Sequence, residues 1–171
     1  MIIKAYGLLW EADEVEWTPG RGARNVFDLC GRTGTNCPGL RVADFRMQRG
    51  VYILYGKTGP YYVGLTKTQT LGKRLKDHLQ DHHAGRWDRF SWFGFSGVLK
   101  SRDNRGFQKL RKLPEATPVC PTSIIGDIEA LLIKTLETVN VAQMKFAAAH
   151  EWRQIRRSER EYFFARARSI I

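Results

Sequence analysis

Two tripeptides, Gly50-Val51-Tyr52 and Tyr62-Val63-Gly64, constrain this chain more tightly than anything else in it. VYILYG and YYVGLT are runs of β-branched and aromatic residues, and KTGP between them carries Gly59 and Pro60. That pattern predicts a β-hairpin. The chain continues into LGKRLKDH, where Leu71, Leu75 and Leu79 recur at i, i+4 and i+8. This spacing predicts a helix from about Thr70 to about Ala84. Arg74 and His78 stand four residues apart and so share one face of it. Two tyrosines on adjacent strands thus feed a helix bearing a cation and a titratable ring. Phosphodiester hydrolysis needs a base, a positive charge and a metal ligand at one point, and the first two are present.

The charge distribution agrees. The chain of 171 residues carries a net +11, but residues 50–119 alone hold 13 basic and 5 acidic side chains, a local +8. A positive field centred on the tyrosine pair suits a polyanion, most simply nucleic acid. Solubility alone and an anionic membrane surface are the bland alternatives. Three scattered cysteines, Cys30, Cys37 and Cys120, form neither a disulfide framework nor a zinc knuckle, so a reduced, cytoplasmic setting is the default expectation. Lys4 and the acidic run from Glu11 to Glu16 interrupt any early apolar segment, and nothing approaches the roughly twenty apolar residues of a membrane span. No membrane partner is expected. Oligomeric state is not legible.

Elsewhere the patterns are weaker. Residues 1–17 read as one or two short strands, and residues 18–38, dense in Gly, Pro, Arg and Asn, as mostly loop. Residues 90–99 predict a third strand whose Trp92 and Phe93, with Trp87 before them, are core at strand spacing. Tyr61 is expected in the core as well. Residues 100–119 read as a basic loop. A second helix is predicted from after Pro121, capped by Thr122 or Ser123, to about Val139. A third runs from about Ala148 to Ala167, with Trp152, Ile155, Tyr162 and Phe163 on its apolar face. Arg153, Arg156, Arg157 and Arg160 line that helix. They track phosphates or, diluted by Glu151, Glu159 and Glu161, form an ion-paired face. The order of elements implies an α+β fold, a small antiparallel sheet covered by helices.

Glu129 is the second clue. On the predicted second helix, Ile125, Leu132 and Leu136 point within about 20° of one another, and Glu129 lies about 40° from Ile125. A carboxylate inside an apolar stripe needs compensation by an arginine, a hydrogen-bond network or a divalent cation. An ion pair with Arg74 that merely supports the core is the structural alternative. Asn140 falls about 20° from Glu129 if the helix continues that far. His82 and His83, next to His78, suggest a metal cluster, though a solvated helix end accounts for them more simply.

Taken in order, GVY, YVG, Arg74, His78, Glu129 and Asn140 resemble the GIY-YIG endonuclease domain over about residues 49–145, with valine for isoleucine in both signatures. The resemblance implies a three-stranded antiparallel sheet flanked by helices. Residues 1–48 would then form an N-terminal arm and 146–171 a C-terminal basic helix packed on the domain. It also implies metal-dependent cleavage of DNA to 5′-phosphate and 3′-hydroxyl ends, with Mg²⁺ or Mn²⁺ as cofactor. By the same resemblance Tyr52 is a general base or positions the attacking water, and Tyr62 bonds the scissile phosphate or the nucleophile. Arg74 stabilises the transition state, His78 relays protons or binds phosphate, and Glu129 holds the metal. Gly64, Lys67, Lys73 and Asn140 are assigned to substrate binding, Gly64 because a side chain there would obstruct the substrate. The competing class is a non-catalytic nucleic-acid-binding module derived from a nuclease fold.

Overall fold

The structure is a computed structural model, which describes residues 2–19, 26–66, 69–112, 121–136, 146 and 149–170, with only the backbone of 121–126 and 129. Ten strands and three α-helices are described: β1 (Ala5–Glu11), β2 (Cys30–Thr33), β3 (Arg41–Asp44), β4 (Gly50–Gly56), β5 (Gly59–Leu65), α1 (Leu71–Asp77), β6 (Arg89–Gly94), β7 (Val98–Arg102), β8 (Gln108–Leu110), α2 (Pro121–Leu136), β9 (His150–Glu151), β10 (Arg153–Gln154) and α3 (Arg160–Arg168). The strands form two five-stranded sheets, ordered β5-β4-β6-β1-β9 and β10-β2-β3-β8-β7.

The fold is α+β, as the sequence implies, but the first sheet has five strands where three are expected. Its β5-β4-β6 part is the expected antiparallel set, with β4 pairing antiparallel to both neighbours. Two strands from outside that stretch extend it. β1 pairs antiparallel with β6, so this N-terminal strand lies inside the sheet, and β9 adds a short parallel pairing on its far side. The apolar run AYGLLW supplies the reason. Ala5, Tyr6 and Trp10 are buried and alternate between the two faces of the sheet, which an external arm could not achieve.

Three packed layers of side chains separate these elements. On one face of the first sheet, Tyr52, Leu54, Phe90, Trp92 and Trp10 meet Leu71 and Leu75 of α1 and Leu29, Ala43 and Phe45 from the second sheet and its flanks. On the other face, Tyr6, Ile53, Tyr55 and Phe93 meet Ala130 and Leu131 of α2. The outer side of the second sheet, through Cys30, Val42 and Phe107, is closed by Phe163 and Ala167 of α3. The aromatic residues Trp87, Trp92 and Phe93 are all buried, as their spacing predicts.

The C-terminal segment departs from the expected long helix. Residues 150–154 are extended: His150–Glu151 pairs with β1 of one sheet, Arg153–Gln154 with β2 of the other, and α3 begins only at Arg160. Trp152, between them, decides this. Its backbone N–H donates to the Tyr6 carbonyl at 2.8 Å, and its own carbonyl accepts from the Trp10 indole at 3.1 Å. Its ring is buried against Phe45. Burying an indole between two sheets outweighs weak helical propensity. The arginines nearby take the ion-paired reading: Arg156 pairs with Glu11, and Arg160 with Glu16 and Asp28.

Three smaller expectations are also revised. The third strand ends at Gly94, and the chain from Val98 to Arg102 and from Gln108 to Leu110 forms strands of the second sheet, where from residue 100 on a loop is expected. Helix α1 stops at Asp77, well short of Ala84. On α2 the described buried face holds Asp127, Ala130 and Ile133, while Leu132 and Leu136 are exposed. The buried carboxylate described on this helix is Asp127, whose Oδ2 accepts the backbone N–H groups of Ile2 and Ile3 and so ties down the start of the chain.

Candidate active site

The hairpin forms as its sequence demands. Tyr52 stands directly opposite Gly64, and Leu54 opposite Tyr62. The glycine is explained by its neighbour: a Cβ at Gly64 would lie 2.1 Å from Cζ and 2.2 Å from the hydroxyl oxygen of Tyr52. The phenol therefore lies flat across the next strand, in space only glycine leaves open. The obstruction a side chain would cause is with Tyr52 itself. Gly50 is fixed in the same way, since a Cβ there would sit 1.9 Å from the Phe93 carbonyl oxygen.

Helix α1 brings the partners. Thr70 caps it, its hydroxyl accepting from the Lys73 N–H, and buried Leu71 and Leu75 press it onto the first sheet. One turn beyond Arg74, His78 closes the helix at its C-cap. The His78 ring is buried, only 1% exposed, and the residue is held at three points, two on the ring and one on its backbone. Its Nε2 meets the Tyr52 hydroxyl at 2.8 Å, its Nδ1 meets Asp81 Oδ2 at 2.7 Å, and its carbonyl accepts the Trp87 indole N–H at 3.2 Å. The Arg74 guanidinium lies close enough to both phenols, Tyr52 and Tyr62, to interact with them electrostatically.

These contacts set the electrostatics. Tyr52 is 0% exposed, and burial pushes its hydroxyl up to about 12, against which the Arg74 guanidinium pulls downward. Burial also works against the charge of Arg74, but the two phenols outweigh it and hold the guanidinium more firmly protonated. For Asp81, partial burial raises the carboxyl, yet the His83 N–H and the His78 ring overcome this and keep it below the usual carboxylate range. The opposite holds at His83, where burial and then the neighbouring His82 and His78 rings push the imidazole below its ordinary value.

Tyr52, Tyr62, Arg74, His78 and Gly64 thus converge. Lys73 does not join them: its ammonium points outward to Asp77, one turn along α1. Lys67 and Asn140 lie outside the described residues. Glu129 is on α2, which packs on the face of the first sheet opposite Tyr52, and its side chain is outside the described set. Tyr61, expected in the core, is 38% exposed, and its hydroxyl meets His83 Nδ1 at 3.1 Å. Sequence reasoning passed over Asp81 altogether. The available signal was its place three residues after His78, but a predicted helix through Ala84 hid the turn that folds it back.

A hard cation such as Mg²⁺ wants oxygen ligands. Among the described residues on the Tyr52 face, the carboxylate at hand is Asp81, already committed to His78 and to the His83 N–H. The described donors there do not make a magnesium site. A search of curated proteins and a search of solved structures returned no match. Residues 48–112, which span the hairpin, α1, Asp81 and His83 but end before Glu129 and Asn140, match the family model described as the GIY-YIG catalytic domain, the domain of a nuclease family.

Proposed function

We propose that the protein is an endonuclease that hydrolyses DNA phosphodiester bonds, leaving 5′-phosphate and 3′-hydroxyl ends. The observation that carries this reading is the 2.8 Å contact of a fully buried Tyr52 with His78, with the Arg74 guanidinium pulling the phenol's pKa downward. A phenol with its pKa pushed upward is a poor base by itself. Beside an imidazole that takes its proton and a guanidinium that favours the phenolate, it becomes a usable one. In the proposed step the Tyr52 proton moves to His78 Nε2 and the phenolate oxygen takes a proton from the attacking water. Water adds to phosphorus in line with the departing 3′-oxygen, which leaves with the bonding pair and takes a proton from solvent to become the 3′-hydroxyl. His78 gives up its extra proton to solvent before the next turnover. Arg74, with its fixed fork of donors, holds the charge that builds on the phosphoryl oxygens. Tyr62 and Arg74 are half-buried and reach the surface, so they are the first members of the set to meet the substrate.

A divalent cation, Mg²⁺ or Mn²⁺, supplies Lewis-acid polarisation of the phosphoryl group in such chemistry. Glu129 is the side chain assigned to it, on the strength of the resemblance alone, and no step here depends on that assignment. Lys67 and Asn140 are assigned to the substrate on the same footing. The local +8 around the hairpin supports a polyanionic substrate, and the three cysteines support a cytoplasmic setting. Among the described residues no helix is long and apolar enough to cross a membrane. The test is cleavage of supercoiled plasmid with and without Mg²⁺, with Arg74→Ala and Glu129→Ala as variants. The reading expects nicked and linear products from the wild type and loss with Arg74→Ala. Salt-sensitive DNA binding without cleavage under any metal condition would instead establish a binding module.

A further inference from the structure

His78 is a strained choice for a proton acceptor unless something decides which of its two nitrogens is bare. We propose that Asp81 is the positioning residue of this site: by accepting the Nδ1–H of His78 it fixes the tautomer whose bare Nε2 faces the Tyr52 hydroxyl. The inference rests on the nuclease reading for its consequence, but not for its geometry.

An ionised carboxylate only accepts hydrogen bonds, so the 2.7 Å contact requires the proton on Nδ1. A neutral imidazole protonated there has an acceptor at Nε2, and the 2.8 Å contact then runs from the Tyr52 O–H to the ring. Asp81 is itself held: its other oxygen accepts the His83 N–H at 2.8 Å, a short Asx-type turn that aims the carboxylate back at α1. Its lowered pKa keeps it ionised through neutrality. Proton transfer from Tyr52 then creates an imidazolium next to a carboxylate, which lowers the cost of the step. Among the described residues, the charged and titratable groups facing His78 are few. Tyr52 comes from β4, Tyr62 from β5 with its ring centroid 5.3 Å away, Arg74 from α1, and Asp81 and His83 from the following turn, the His83 ring 4.8 Å away.

The same side chains have a rival use. One ligand atom each from His78, Asp81 and His83 fall within 4.8 Å of one another, a donor set suited to a transition metal. In the structure, however, His78 spends both nitrogens on Tyr52 and Asp81, and His83 spends Nδ1 on Tyr61. The hydrogen-bonded arrangement already satisfies these atoms.

The decisive experiment measures the tautomer in the free protein and the rate on plasmid DNA. ¹⁵N spectra of the histidine rings are expected to show His78 protonated at Nδ1 in the wild type. Asp81→Asn keeps an oxygen for the His83 N–H and turns its NH₂ toward Nδ1, so it inverts the tautomer. Cleavage should then fall about 100-fold or more through kcat, with KM little changed and the melting temperature retained. Asp81→Glu, which keeps the carboxylate, should recover part of the rate. A wild-type ring protonated at Nε2 alone, or an Asp81→Asn enzyme of full activity, overturns the proposal. So does Zn²⁺ at micromolar concentration shifting the ring signals of His78 and His83 together while raising activity, since that makes the cluster a metal centre. If the wild type cleaves nothing, the nuclease reading fails, while the tautomer still decides the role of Asp81.

Discussion

Two tyrosine–histidine pairs lie side by side at the hairpin, and they differ in what stands behind the histidine. Tyr52 and His78 are both buried, and Asp81 grips the far nitrogen of the ring. Tyr61 is exposed on the edge strand, and His83 reaches it with Nδ1 at 3.1 Å, while Asp81 touches only the His83 backbone. One carboxylate therefore serves both pairs but orients only one ring. In the buried pair, exclusion of water strengthens every charge–dipole contact and leaves the proton few places to go. In the outer pair His83 is buried as well, but the Tyr61 side chain is 38% exposed and meets solvent. The residue types are identical, so the chemistry must come from burial and from the third partner.

That contrast is sharpest under substitution. Removing the Tyr52 hydroxyl with Tyr52→Phe should lower plasmid cleavage by about 10³-fold, within the usual span for a positioned acid–base group. The matching Tyr61→Phe change should leave the rate within about threefold, as expected of a neutral hydrogen bond outside the Tyr52–His78–Asp81 chain. Equal losses in the two variants would erase the distinction. A smaller effect belongs to the glycine that makes room for the inner phenol. Gly64→Ala drives a methyl into the Tyr52 ring and should cost about 1–3 kcal/mol, read as a lowered melting temperature, with activity falling as the ring is displaced.

The mildest effect is on stability against alkali. Tyr52 and Tyr6 are both pushed up to about 12, each mainly by burial, with Glu151 adding to the effect at Tyr6. The neutral phenol is favoured in the folded state, so this contribution is complete below pH 10, the unfolded value. It is lost as pH rises from 10 to 12. Denaturant unfolding should show stability declining across that window, and less steeply in Tyr52→Phe. A flat profile would mean that Tyr52 is not shielded from water.

Much of this arrangement was legible in the sequence, for reasons tied to locality. The hairpin and the start of α1 are short-range structures, written in alternation, a glycine turn and leucines at helical spacing, so Tyr52, Tyr62, Arg74 and His78 could be brought together on paper. What escaped depends on distant partners. AYGLLW reads as a strand, but that it runs between β6 and β9 is decided by pairing across more than eighty residues. Trp152 shows no strand signal locally, and its position between two sheets overrides the helical spacing of its neighbours. On α2 the apolar spacing misidentified the buried face, because Asp127 is held by the N–H groups of Ile2 and Ile3 rather than by anything nearby. Asp81 was hidden by a helix expected to run seven residues too far, whose solvated end offered no reason to single out one carboxylate.

The most direct test of the account is a side-by-side cleavage assay of supercoiled plasmid by the wild type and Tyr52→Phe, with Mg²⁺ present and with both proteins shown to be folded. The account predicts nicked and linear DNA from the wild type and intact plasmid from the variant over the same period. Equal cleavage by the two proteins would contradict it, because the buried phenol between His78 and Arg74 would then have no part in the chemistry.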